Sequence, residues 1–217
     1  PERRIVLVGK TGNGRSAVAN TILGSRVFKS KISSVSVTKT CQWEEVVLNG
    51  RKVVVVVVDT PGFLNKGRPE RETLAKVRKC IKFCPPGPHV ILQVMRPDRF
   101  TQEETYMAHF IKQIFSLNAK DYMIILFTRK EDLEGKTLEK FIAEGDEDLK
   151  EHVYDCGNRF LAFNNKAEGA EREAQVGQLM AMIDALVHKN RAAPCYMEEM
   201  LNIDKKHRDF SWLSPFV

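Results

Sequence analysis

The sequence has no paired cysteine motif. Its five cysteines are Cys41, Cys80, Cys84, Cys156 and Cys195. The number is odd, and Cys80 and Cys84, one helical turn apart, have no matching second pair. That speaks against a zinc site of the paired kind and against a disulfide framework, and it reads as reduced thiols in a cytosolic compartment. Long apolar runs are missing too. The longest is Val53–Val58, strand length against the roughly 18 residues of a membrane span. No segment reads as a signal peptide. There is no basic run: 34 basic and 28 acidic residues leave a net charge of +6, spread along the chain, which argues against a nucleic-acid surface. The histidines, His89 included, have no nucleophile or ligand set nearby and read as structural or surface residues. Repeats and low-complexity stretches are also missing. The chain begins at Pro1 without Met, which leaves room for flanking anchors or domains outside it.

What is present is an ordinary soluble composition, 43% hydrophobic and 29% charged, long enough for one domain, or one with an appendage, around a sizeable core. Six segments read as strands: Arg3–Val8, Gln42–Leu48, Lys52–Val58, Val90–Met95, Tyr122–Phe127 and Phe160–Phe163. Asn49-Gly50 between the second and third is a hairpin signal. Helices are expected over Ala17–Leu23, Glu70–Phe83, from the capping-box pair Thr101 and Glu104 to about Phe115, and over Leu138–Cys156 with a break near Gly145. Glu173–Asn190 is the clearest amphipathic helix, with Val176, Leu179, Met180, Ile183, Leu186 and Val187 on one face. Val27–Thr40 and Thr60–Pro69 read as loops. Strands alternating with helices predict an α/β fold: a mostly parallel six-stranded sheet with helices on both faces, three layers in all. Ligands on such sheets bind at the carboxyl ends of the strands.

Gly9-Lys10-Thr11-Gly12-Asn13-Gly14-Arg15-Ser16 follows the first strand and opens a helix. That is the context of a phosphate-binding P-loop, in which glycines let backbone N–H groups curl around phosphate oxygens and the helix dipole adds positive potential. The amide of Ala17 continues the cradle, and the Ser16 hydroxyl would meet Mg²⁺. The residue before that serine is usually lysine, a compact point charge. Here it is Arg15, planar and larger. Phosphate binding can survive the change, but hydrolysis is placed in doubt. Asp59-Thr60-Pro61-Gly62 leaves the buried third strand; Asp59 would hold Mg²⁺ through water and the Gly62 N–H would meet a γ-phosphate. Thr38, with Ser36 and Thr40 as rivals, is the candidate for a loop threonine that binds Mg²⁺ when a γ-phosphate is present. No glutamine stands at Phe63, Leu64 or Asn65 to orient an attacking water, so slow hydrolysis is predicted.

Thr128-Arg129-Lys130-Glu131-Asp132 follows the fifth strand and approximates the N/T-K-x-D pattern of guanine-binding proteins. The Asp132 carboxylate can accept from guanine N1–H and its exocyclic amine, donors that adenine does not offer there. Lys130 would lie along the base, and Arg129 could stack on the base or the ribose. Phe163-Asn164-Asn165, after the last strand, stands where a second base-contacting loop would sit, with Asn164 and Asn165 as its candidates.

Together these segments resemble the GTPases of immunity-associated proteins, within the septin- and chloroplast-import-like branch of P-loop GTPases. The carrying residues are Ile5–Gly24, Val37–Cys41, Val58–Gly62, Pro86–Val90, Arg99–Glu104, Ile125–Leu133 and Ala162–Asn165. Gly87-Pro88-His89 looks like the box particular to that family. The resemblance implies a guanine-nucleotide-binding domain over 1–190 with a C-terminal extension over 191–217. It implies GTP, GDP and Mg²⁺ as ligands, and Ser30 as a further nucleotide contact. It also implies nucleotide-dependent assembly, as a homodimer or with related GTPases, in which Arg99 reaches the partner's phosphates as a catalytic residue. The implied location is cytoplasmic, on the cytosolic face of organelle membranes if an anchor lies outside this chain. No nucleic acid is implied. Three readings stay open: a self-assembling switch that hydrolyses GTP slowly, a hydrolysis-defective scaffold partner because of Arg15, and an ATP-using P-loop enzyme.

Overall fold

The computed structural model describes residues 1–9, 12–24, 41–58, 85–97 and 117–196. Its elements in chain order are β1 Arg3–Gly9, α1 Arg15–Leu23, β2 Cys41–Leu48, β3 Arg51–Val58, β4 Val90–Met95, β5 Met123–Phe127, α2 Leu138–Ala143, α3 Glu147–Asp155, β6 Phe160–Ala162 and α4 Gly169–Lys189. The strands form one sheet in the order β2-β3-β1-β4-β5-β6. Only the β2–β3 pair is antiparallel. Its register opposes Leu48 and Arg51, and the two-residue turn between them takes positive φ at Asn49 (52°) and Gly50 (76°), the turn that matches strand twist.

All six residues of Val53–Val58 are buried because both faces of the sheet are covered. Ile5, Leu7, Val53, Val55, Leu92, Val94, Ile124 and Leu126 pack with α1 and α4. Val6, Val8, Val54, Val56, Ile91, Met95, Ile125 and Phe127 pack with α2 and α3. The alternation puts successive side chains on opposite faces, and each buried aliphatic contributes about 1.5–3 kcal/mol. The result is the three-layer sandwich expected from the sequence.

Boundaries differ from the sequence reading where caps decide them. α1 begins at Arg15, two residues earlier than expected, because Gly14 takes a left-handed conformation as its N-cap. α4 begins at Gly169, ahead of its apolar stripe, since its first turn is solvent-exposed and leaves no hydrophobic signal. The expected break near Gly145 separates α2 from α3. Asp146 caps α3, accepting from the Leu149 N–H at 2.9 Å. The expected loops 27–40 and 60–69 and the helices 70–83 and 101–115 lie outside the described residues.

The amino ends of the parallel strands are closed by polar contacts. Asp184 of α4 accepts from Arg3 Nε and Arg51 Nη1, both at 2.8 Å. Burial raises its carboxyl pKa, but the two guanidinium donors outweigh it and hold the group below its ordinary value. His89 is buried. Its Nδ1 accepts from the Arg4 backbone N–H at 2.9 Å, and the His89 backbone N–H donates to Arg4 O at 2.9 Å. After α4 the chain returns to this end, where the Tyr196 N–H donates to Pro88 O at 2.8 Å and its fully buried ring meets Tyr122 edge-on. The Gly87-Pro88-His89 box is thus a structural seat at the opposite edge from the phosphate loop.

Candidate nucleotide site

β1, β3, β4, β5 and β6 all end at one edge of the sheet, and the sequence-derived candidates follow them. The chain moves from β1 towards β3 on one side, then crosses back to β4 on the other. This reversal between β1 and β4 opens a crevice at their carboxyl ends. Gly9 opposes Val94 across the β1–β4 pair, so close that a Cβ on Gly9 would stand 2.6 Å from Val94 O. Gly12 and Gly14 both have φ near +90° (89° and 94°), a region closed to most side chains. Asn13 is buried and donates from Nδ2 to Val94 O at 3.2 Å. These contacts hold the described part of the loop over β4. Lys10 and Thr11 lie outside the described residues.

The start of α1 differs from those of α2 and α3. Thr137 and Asp146 cap the latter two with side-chain oxygens. α1 has no side-chain cap and no acidic residue in its first turn, and its first ladder bond runs from the Val18 N–H to Gly14 O at 2.9 Å. Helix geometry leaves amides ahead of that bond outside the ladder. A left-handed glycine turn leading into a helix with no carboxylate in its own first turn suits a polyphosphate. Ser16 sits in that first turn, half-buried. The Arg15 side chain is buried, and Nη1 donates to Val58 O, the last residue of β3. The arginine therefore braces the start of α1 against the strand that leads to Asp59.

Three loops are joined here. Thr128 Oγ1 donates to Asn13 O at 2.9 Å, tying the base loop to the phosphate loop, and the Thr128 methyl is what a Cβ on Gly14 would touch, at 3.4 Å. The Lys130 N–H donates to Phe163 O at 3.0 Å, tying the base loop to the loop after β6. Thr21 of α1 and Asn165 Oδ1 lie 2.8 Å apart, tying that last loop to the helix of the phosphate loop. Asn164 is fixed from both sides by Gln175 of α4: its N–H donates to Oε1 at 2.6 Å and its carbonyl accepts from Nε2 at 3.1 Å.

Arg129, Lys130, Glu131 and Asp132 are all exposed, the last three in a 3₁₀ turn over Lys130–Leu133. Arg129 is left-handed at φ 57°, and its Nε meets Asp132 Oδ2 at 2.8 Å. Of the other candidates, Ser30, Thr38, Asp59, Gly62 and Arg99 lie outside the described residues. The site residues without an assigned role in the sequence reading are Thr128 and Gln175. Gln175 had a legible signal, a polar residue one turn before Leu179 on the apolar stripe; Thr128 was marked only as the first residue of the base-loop segment, with no sign of its bond to Asn13. An open cavity of about 380 Å³ flanks the base loop, lined by Lys130, Leu133, Thr137, Leu138, Phe160 and Gln178 among others. Among the described residues its lining shares Lys130 with the base loop and includes neither Asp132 nor a phosphate-loop residue.

A glycine turn between the first strand and first helix, knit to two further strand-end loops of a mostly parallel sheet, defines the fold class as that of P-loop GTPase domains. The chain belongs to the AIG1 family, whose model matches residues 3–213. It is 36% identical over 206 residues to immune-associated nucleotide-binding protein 9 of Arabidopsis thaliana, covering 93% of this chain and 60% of that protein. It is 38% identical over 190 residues to GTPase IMAP family member 8 of Homo sapiens, covering 87% and 28%. The chain thus spans 60% or less of these two relatives. Among solved structures, Toc33 from Arabidopsis thaliana in complex with Mg²⁺ and GMPPNP has a TM-score of 0.60 at 18% identity, with 86% of this chain and 85% of that one covered. A further Toc33 structure, at TM-score 0.60 and 16% identity over 85% and 82% of the two chains, is described by the importance of dimerisation for the GTPase activity of chloroplast translocon components. At these identities the likeness is one of fold.

Proposed function

We propose that this chain is a guanine-nucleotide switch that binds GTP and GDP with Mg²⁺, self-associates in the GTP state and hydrolyses GTP slowly. The observation that carries the reading is the hydrogen-bonded union of three loops at one sheet edge, through Thr128 to Asn13, Lys130 to Phe163 and Thr21 to Asn165. One ligand with phosphates at one end and a base at the other would touch all three. In this reading Gly9 to Ala17 hold the phosphates, with Ser30 and Gly62 adding contacts. Mg²⁺ is held by the Ser16 and Thr38 hydroxyls and, through water, by Asp59. It would neutralise phosphate charge when bound. Asp132 accepts from the guanine edge, Lys130 lies along the base, and Arg129, Glu131, Asn164 and Asn165 border it.

The relatives' names, a nucleotide-binding protein and a GTPase, support the nucleotide class. The Toc33 complexes support guanine nucleotide with Mg²⁺. The test is Asp132→Asn. An amide there repels the guanine amine and suits the carbonyl of xanthine, so preference is expected to move from guanosine to xanthosine diphosphate by at least tenfold in a binding titration. Unchanged guanine preference would show that Asp132 does not read the base.

Self-association draws support from the role of dimerisation in Toc33. Turnover per molecule is expected to rise with protein concentration, and Arg99→Ala is expected to flatten that rise. Concentration-independent turnover in the wild type would contradict it. A second reading is favoured by one contact: Arg15 is bonded to Val58 O, so the charge expected on the phosphates is engaged elsewhere. Under that reading the chain binds nucleotide without hydrolysing it and serves as a scaffold for a competent relative.

A further inference from the structure

The carboxylate assigned above to the guanine edge already has a partner. Arg129 Nε lies 2.8 Å from Asp132 Oδ2 across three residues, with the two side chains 49% and 38% exposed. The backbone favours this pairing. Arg129 is left-handed, and its carbonyl accepts from the Asp132 N–H at 2.9 Å, so both side chains leave one tight turn. A guanidinium and the N1–H/amine edge of guanine are chemically alike: each is a planar N–C–N unit presenting parallel N–H donors, the shape a carboxylate accepts in bidentate fashion.

We propose that Arg129 is an intramolecular competitor for guanine. It occupies Asp132 when no base is bound and has to be displaced before the base can be read. This rests on the reading of Asp132 under Proposed function. Displacement exchanges one ion pair for the base's hydrogen bonds, so the affinity for guanine nucleotides is set by the difference between the two. An asparagine at this position, the residue of the usual pattern, tolerates the left-handed backbone and carries no charge to compete.

An exposed ion pair is worth about 0.2–1 kcal/mol, so Arg129→Asn and Arg129→Ala are each expected to tighten GDP binding by about 1.4- to fivefold. Raising the ionic strength screens the pair, and the gap between wild type and variants is expected to narrow. In the Asp132→Asn background, probed with xanthosine diphosphate, an amide forms no ion pair, and Arg129→Ala is expected to give no gain. Thermal melting of each variant checks that the fold is kept. Weaker or unchanged GDP binding by Arg129→Ala overturns the competitor role, weaker binding being the mark of an arginine that stacks on the base. If Asp132→Asn moves preference to xanthine while Arg129→Ala gives no tightening, the competitor role alone falls. If Asp132→Asn leaves guanine preference in place, the reading of Asp132 falls and the competitor role with it.

Discussion

Gly9 has no room for a side chain. A Cβ there would stand 2.6 Å from Val94 O, a backbone atom held by the β1–β4 ladder. Gly9→Ala must push the two strands apart or bend the loop away from β4, a strain of about 1–3 kcal/mol. A urea titration is expected to show that loss, and an unchanged midpoint would contradict the contact. Arg15 is decided by chemistry more than by space. Its planar fork can bond a strand-end carbonyl in a way a single ammonium does not need to, and the contact with Val58 O was not legible from the P-loop pattern. The pattern gave the position and charge of Arg15, while its partner depended on where β3 ends.

At the amino edge of the sheet, β1 and β4 are joined through a histidine that stays neutral. Burial first, then the positive charges of Arg4 and Arg3, lower the His89 pKa from its ordinary 6.5 to about 4. The unfolded chain binds this proton near pH 6.5 and the folded chain only near pH 4, so the unfolded state holds more protons between them. His89's share of stability is therefore complete above about pH 6.5 and is lost as the pH falls towards 4. At pH 5 the loss is on the order of 2 kcal/mol. The denaturant midpoint is expected to fall between pH 7 and pH 5, with a shallower fall in His89→Asn, which keeps an acceptor without the titration. Equal slopes would contradict this. The sequence reading placed His89 among structural or surface residues, and burial selects the first. Elements as such were legible because their signals are local: the Asn49-Gly50 turn, the valine run of β3, the break at Gly145. Helix starts were less so, because a left-handed Gly14 and an exposed first turn of α4 carry no periodicity.

For the molecule as a whole, the α/β class, the six strands and three layers, and the clustering of strand-end loops were legible from alternation alone. The sheet order was not, because it depends on crossovers between distant segments. Nor were the long-range ties: Gln175 to Asn164, Thr128 to Asn13, and Tyr196 returning to Pro88. These ties turn separate motifs into one site at one edge and a closed seat at the other. Whether that site takes a guanine nucleotide is tested most directly by titrating the purified chain with fluorescent GDP, a non-hydrolysable GTP analogue and ATP, with and without Mg²⁺, alongside Arg15→Lys. The expected result is guanine-selective binding by the wild type, strengthened by Mg²⁺ for the GTP analogue. Equal binding of ATP, or binding that appears only with Arg15→Lys, would contradict the switch, and the latter would leave a scaffold that has lost its nucleotide.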